Sequence, residues 1–277
     1  MTDQVTTVVV TRDRWDDLTR SLPHHRPPVV LVDNGSTDGT PELVRAAFPD
    51  VRVLTLSENI GAVARNLGVV EARTPYVAFA DDDSWWAPGA LACAAELLDD
   101  HPRLALVAAR ILVGPEERLD PMSTEMARSP LPAEPDLPGP PVLGFVACGA
   151  VVRREPFLLA GGFDGVVEFG GEEQRLALDL AAAGWGLAYA DDVVAHHHPS
   201  ARRGPQDGRR ALLARNELLT AVMRLPWPAV WDTARRGVAA GPAERLGTLR
   251  GLRRAPGALR RRRVVPTAVE QRRRMLG

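Results

Sequence analysis

Tyr76-Val77-Ala78-Phe79-Ala80-Asp81-Asp82-Asp83 is the stretch that decides the fold of this chain. Five apolar or small residues form a buried strand, and the strand runs straight into three consecutive carboxylates. Side chains alternate along an extended chain, so Asp81 and Asp83 face one way and Asp82 the other. Two carboxylates on one side of a strand end repel, and no Lys or Arg lies beside them in sequence. A divalent cation relieves that repulsion. Oxygen-only ligands suit Mg²⁺ or Mn²⁺, which bind through one or two carboxylates and leave positions for substrate phosphates. A solvated acidic turn is the alternative.

Working outward, strand-like and helix-like runs alternate: Val5–Val10 then Trp15–Leu22, Val29–Val32 then Pro41–Phe48, Val51–Leu54 then Gly61–Ala72, and Tyr76–Ala80 then Pro88–Leu98, with Leu104–Val113 following. Strands separated by helices of this length imply an α/β fold with a mostly parallel, Rossmann-like central sheet flanked by helices. Ligands bind beyond the carboxyl ends of such strands. The polar turn Asp33–Pro41, with Thr40 as N-cap, is one such end, and Asp81–Asp83 is another. From Gly114 to Pro141 six prolines between 130 and 141 predict a long loop. Order resumes at Val142–Val152, a helix runs from Glu172 to Ala183, and a strand pair, Gly186–Ala190 and Val193–Ala195, delivers His196-His197-His198. A further helix extends to about Leu225.

A chain of 277 residues with 45% hydrophobic content can bury a large core, and one large domain with an appendage is expected. We divide it into a nucleotide-binding half (1–113), an acceptor-side catalytic half (114–225) and a basic, helical C-terminal tail (226–277). All the basic residues besides His are Arg. Residues 235–277 hold 13 Arg against 2 Glu, so although the formal net charge is −1 overall, the body is acidic and the tail basic. Such a tail is expected as a solvated arm or as a peripheral contact with the inner face of the plasma membrane; nucleic acid is not an expected partner. Cys93 and Cys148 lack disulfide or zinc spacing. With no membrane-spanning run and no signal-like N-terminus, a cytoplasmic location is expected.

After the first strand a dinucleotide-binding protein carries a Gly-rich turn; Thr11-Arg12-Asp13-Arg14-Trp15 stands there instead, which argues against NAD or FAD. Asp33 can take a nucleoside hydroxyl or base edge, or serve as an Asx-turn residue. Arg65, in a small-residue helix, can meet phosphate or simply lie on a surface. Glu173 shares the stripe of Leu176, Ala177 and Leu180, whereas Glu172 shares a face with Arg175 and Asp179. One acid is thus expected to point inward and the other outward. Desolvation raises the pKa of the inward one toward that of a general base. A His at 196–198 can ligate a metal or be an exposed turn residue.

The motifs VVLVDNGSTDGT (Val29–Thr40), ENIGAVARNLG (Glu58–Gly68), FADDDSWWAP (Phe79–Pro88), LLAGGFD (Leu158–Asp164) and GGEEQRLALDLAAAGW (Gly170–Trp185), in this order, resemble the inverting glycosyltransferases of family 2, which have the GT-A fold. The resemblance spans roughly residues 5–225. It implies a nucleoside-diphosphate sugar donor and a hydroxyl acceptor, lipid-linked or polysaccharide. It also implies that Thr11, Arg12, Asp33 and Asn34 surround the nucleotide base, and that Asp81 and Asp83 form a DxD pair with Asp83 as metal ligand. Asp82 counts among the substrate-side residues, Arg65 becomes a diphosphate or sugar contact, and His196 stands where the family sometimes has an imidazole near the metal. The second acid of the family's Glu-Asp pair, the catalytic base, maps onto Glu173, with Glu172 beside it. A non-catalytic nucleotide-sugar scaffold and a sugar-phosphate nucleotidyltransferase are the alternatives; the latter needs a Gly-rich triphosphate loop that the first strand lacks.

Overall fold

The computed structural model describes residues 4–200 and 206–277. Its strands are β1 (Val5–Thr11), β2 (Val29–Asp33), β3 (Val51–Thr55), β4 (Tyr76–Asp81), β5 (Ser84–Trp86), β6 (Leu104–Val113), β7 (Arg118–Leu119), β8 (Ala150–Arg153) and β9 (Gly186–His197). The helices are α1 (Trp15–Ser21), α2 (Thr40–Ala47), α3 (Ala64–Glu71), α4 (Ala90–Asp100), α5 (Pro121–Ala127), α6 (Arg154–Leu159), α7 (Glu172–Ala182), α8 (Gln206–Arg224), α9 (Trp227–Ala240), α10 (Pro242–Arg260) and α11 (Thr267–Met275).

One sheet runs β3-β2-β1-β4-β8-β6-β9-β5, with β7 beside β6. The first four strands are parallel, as the alternation of elements predicts. Beyond β4 the sheet is mixed: β8 lies antiparallel between β4 and β6, whereas β9 runs parallel to β6. Both sheet faces are covered, which is why β1, β2 and β4 read as continuous apolar runs. Val8, Val32, Val77 and Phe79 pack toward α3, α6 and α7, and Val9, Leu31 and Ala80 pack with Leu18 and Val44 on the other side.

Three local expectations change. The expected pair of strands at 186–195 is one strand, β9, whose Asp191–Val193 form a bulge between the Ala109/Ala190 and Arg110/Val194 pairings. The expected loop at 114–141 contains β7 and α5; Asp120 caps α5 by accepting from the Met122 amide at 2.8 Å, with Pro121 in the first helical turn. Helix α2 begins at Thr40, and Asp38 rather than Thr40 does the capping, its Oδ1 accepting from the Thr40 amide at 3.0 Å.

The tail departs most from expectation. Instead of a solvated arm, residues 227–275 form three helices that pack with α7 and α8 around Leu178, Leu218, Leu219, Val222, Met223, Val230, Ala258, Val265 and Val269. Arg charge is compatible with this because the guanidinium groups lie at the periphery or satisfy carbonyls: Arg262 donates to Leu225 O at 2.7 Å and Arg224 to Arg261 O at 2.8 Å. Close approach of α10 to α8 depends on Gly247 and Gly251. A Cβ at Gly247 would overlap the Ala211 backbone carbonyl, and one at Gly251 would press on the Arg215 carbonyl. No helix among the described residues is long and apolar enough to cross a membrane.

Gly247→Val forces α10 off α8 and is expected to cost about 1–3 kcal/mol, the usual range for overpacking, read as a lowered thermal midpoint. An unchanged midpoint would contradict the α8–α10 contact.

Candidate functional site

Strand β4 lies in the middle of the sheet, yet β5, only two residues later, pairs with β9 at the far edge. Asp82 and Asp83 form the turn that makes this crossing. The expected alternation of Asp81 against Asp82 therefore does not apply, because the extended chain ends at Asp81. The three carboxylates diverge instead. Asp81 Oδ1 accepts from Arg65 Nη2 at 2.6 Å. Asp82 Oδ2 accepts from Thr11 Oγ1 at 3.2 Å, and its carbonyl accepts from Ser21 Oγ at 2.7 Å. Asp83 Oδ2 accepts from the Ser200 amide at 2.9 Å, and its Oδ1 lies 3.4 Å from His197 Nε2. Burial first, then the charges of Asp83 and Asp81, push Asp82 up to about 8, only partly opposed by Arg14. Negative charge is thus under-compensated at the carboxyl end of β4.

His196, expected at the metal, turns away: its Nδ1 lies 3.5 Å from Glu117 and its ring stacks on Trp85. The reason is register. In the antiparallel β5–β9 pair Ser84 faces His197 and Trp85 faces His196, so strand alternation puts His197 on the Asp83 side. Asp81 and Asp83 are hard oxygen donors of the kind that suits Mg²⁺ or Mn²⁺ together with phosphate and water, and here Arg65 engages Asp81 while the Ser200 amide and His197 engage Asp83. No group of three or more His, Cys, Asp or Glu that could enclose a metal by itself occurs among the described residues.

Arg65, on α3, is buried between two acids, with Asp81 on one side and Glu172 Oε1 3.6 Å from Nη1 on the other; the guanidinium carbon also lies 5.7 Å from the centre of the Phe163 ring. Glu172 is therefore not the outward acid: it is 1% exposed, whereas Glu173 is half-buried. A one-sided amphipathic pattern misleads here because α7 is covered on both sides, by the sheet through Leu176, Ala177 and Leu180 and by α8 through Leu178. The Arg175 and Asp179 face meets Arg224, whose Nη2 donates to Asp179 Oδ2 at 3.0 Å.

Both glutamates are raised above the usual carboxylate range. Burial and then the Glu173 charge push Glu172 up to about 8, against the pull of Arg65. Burial also raises Glu173, and the Asp81 charge adds to it, while backbone hydrogen bonds, including one from Ala147, and Arg65 oppose. Arg65 itself is held more firmly protonated by Asp81 and Glu172. One guanidinium faces three carboxylates, so the two glutamates titrate as a pair and retain a proton more readily than a free acid. Glu173, which does not share the Arg65 ion pair that Glu172 makes, is the one placed to exchange that proton.

On the β1 and β2 side, Thr11 is buried and bonded to Asp82, whereas Arg12 is exposed beside Asp13 at 3.6 Å. Asp33 and Asn34 are both hydrogen-bonded within the protein. Asp33 accepts from the Ser36 amide at 3.2 Å and from its hydroxyl, the Asx-turn arrangement. The Asn34 amide clamps the next loop, accepting from the Ile60 amide at 2.9 Å and donating to Gly61 O at 3.0 Å. Sequence reasoning missed His197, Ser200 and the Arg65–Glu172 pair; only the parity of β9 against β5 distinguishes His197 from His196.

The family model for glycosyl transferase family 2 matches residues 8–158. Among curated relatives, the N-acetylglucosaminyl-diphospho-decaprenol L-rhamnosyltransferase of Mycobacterium tuberculosis is 28% identical over 247 residues, covering 74% of this chain and 79% of the relative. Among solved structures, the mannosyltransferase PcManGT of Pyrobaculum calidifontis, in complex with GDP-Man and Mn²⁺, superposes with a TM-score of 0.62 at 21% identity over 99% of this chain and 84% of that one. S. aureus TarS in complex with UDP-GlcNAc gives a TM-score of 0.62 at 16% identity over 97% of this chain and 83% of that one. At these identities the solved structures speak for the fold: the mixed sheet flanked by helices is that of GT-A glycosyltransferases.

Arg65→Met removes the cation between Asp81 and Glu172. Breaking a buried pair in this way is expected to cost about 3–5 kcal/mol, measured by denaturant unfolding. A loss within error of zero would mean that the pair does not form.

Proposed function

The chain belongs to glycosyl transferase family 2, and we propose that it is a metal-dependent, inverting enzyme that moves a sugar from a nucleoside-diphosphate sugar to an acceptor hydroxyl, with Glu173 as base. The observation that carries this is Glu173 itself, a half-buried carboxylate of raised pKa beside Asp81 and Arg65 at the carboxyl end of the sheet. In this reading Glu173 takes the proton of the acceptor hydroxyl as that oxygen attacks the anomeric carbon. The bond to the nucleoside diphosphate breaks on the opposite face, so configuration inverts. Arg65 orients Asp81 and, through Glu172, the start of α7. Asp83, backed by His197 and the Ser200 amide, and Asp81 would hold Mn²⁺ or Mg²⁺, whose charge would stabilise the departing diphosphate. The printed name of the M. tuberculosis relative supports a lipid-linked diphosphate sugar as the acceptor class.

Glu173→Gln is expected to keep donor affinity and lose about 10²-fold or more in turnover, the range for a general base; near wild-type turnover would remove Glu173 from the role. Asp83→Ala is expected to abolish Mn²⁺-dependent binding of a nucleoside diphosphate in calorimetry, and retained binding would move the cation elsewhere. Because the base must be ionised, kcat/KM is expected to fall as pH drops through the raised pKa of the glutamate pair. This limb should therefore lie above the ordinary carboxylate range and vanish in the residual activity of Glu173→Gln.

A further inference from the structure

We propose that the outer face of the α9–α10 hairpin is a docking surface for an anionic lipid bilayer. The face directed away from the core on α10 reads Leu246, Leu249, Arg253, Pro256 and Arg260, a spacing of three and four residues that keeps all five on one ridge. All five are exposed, Leu249 at 49%. The opposite side of α10, with Gly247, Thr248, Gly251 and Ala258, is the one buried on the neighbouring helices. Leu and Arg stand on the exposed ridge where a solvated helix would carry polar residues of both signs.

The adjoining helix extends this surface. Trp227, Trp231 and Val238 follow at intervals of four and seven residues along one side of α9, and Trp231 is 69% exposed. Helix α9 packs beside α10, with Arg245 donating to Val238 O at 3.2 Å and Gly237 abutting Thr248, while Arg262, just past the end of α10, lies over the Trp227 ring at 4.2 Å. Two large exposed indoles on α9 and exposed leucines on the adjoining α10 exceed the scattered apolar exposure normal for a protein in water.

Charge selects the occupant. Arg250, Arg253, Arg260 and Arg263 form no ion pair among the described residues. The acids of 227–277 are all engaged, Asp232 by Arg235 at 2.9 Å, Glu244 by Arg210 at 2.6 Å and Glu270 by Arg273 at 2.7 Å. A second copy packed face to face across a two-fold axis would set this Arg-bearing ridge against itself. An anionic bilayer instead accepts leucine and indole into its interface while the arginines reach the headgroups. The inference rests on this surface alone and holds whatever the acceptor.

Flotation of the full chain with phosphatidylcholine vesicles, with and without phosphatidylglycerol, tests it. Binding is expected only with the anionic lipid, with tryptophan quenching by bromolipids that is reduced in Trp231→Phe and lost when Trp227→Phe is added. Arg253→Gln combined with Arg260→Gln is expected to weaken binding about thirtyfold, and Leu246→Gln with Leu249→Gln to abolish it, while nucleoside-diphosphate calorimetry, run on each variant, stays unchanged. Absence of binding at low salt overturns the proposal. So does binding without bromolipid quenching, which would be charge attraction alone, or a dimer in light scattering that the leucine variants dissociate. A failure of nucleotide binding in the parent chain would count against the proposed function and leave the vesicle result to be read by itself.

Discussion

One buried guanidinium organises the catalytic end of this protein. Arg65 leaves α3 under the sheet's carboxyl edge and meets carboxylates from two other elements, Asp81 of β4 and Glu172 of α7. A charge so deeply buried is tolerated only when paired. The pairing therefore ties three segments, far apart in sequence, to one point. It leaves an excess of acid: Glu173 and the rest of the aspartate run share the same neighbourhood with little further positive charge. The raised pKa values of Asp82, Glu172 and Glu173 follow first from burial and then from the neighbouring carboxylates.

The second constraint is the two-residue turn between β4 and β5. Because the chain passes there from the centre of the sheet to its edge, the end of β9 is brought against the aspartates. Asp83 is held by backbone and side chain from 197–200, including the His198 amide donating to its carbonyl at 2.8 Å. The edge built from β1, β4 and α3 and the wall built from β9 and α7 thus share this turn.

Arginine serves three physical ends in this lysine-free chain. It neutralises buried acid at Arg65, satisfies carbonyls at helix ends through Arg224 and Arg262, and charges the outer ridge of α10. The first two uses require a planar fork that donates in fixed directions; the third requires only charge on a long apolar stem. Composition cannot tell them apart, which is why the basic tail reads as a solvated arm although its inner faces are packed through Gly247, Gly251 and Ala258.

Much of the architecture was written in local pattern. The runs ending at Thr11, Asp33 and Asp81 are apolar on both faces, which only a parallel sheet covered by helices accommodates, and polar residues at their ends mark the ligand edge. Those features, with the five ordered motifs, carried the fold, the family and the neighbourhood of the site. Side-chain direction was not local. Glu172 is the more buried acid because Arg65 of α3 meets it; His197 replaces His196 because β9 pairs with β5 in one particular register; Asn34 is engaged because the loop at 60–61 supplies its partners, whereas Asp33 bonds within its own turn. Sequence periodicity reports which positions share a face, since that follows from backbone geometry alone. Whether a face meets water, a helix or an opposite charge is decided by elements distant in the chain, and only the tertiary structure brings them together.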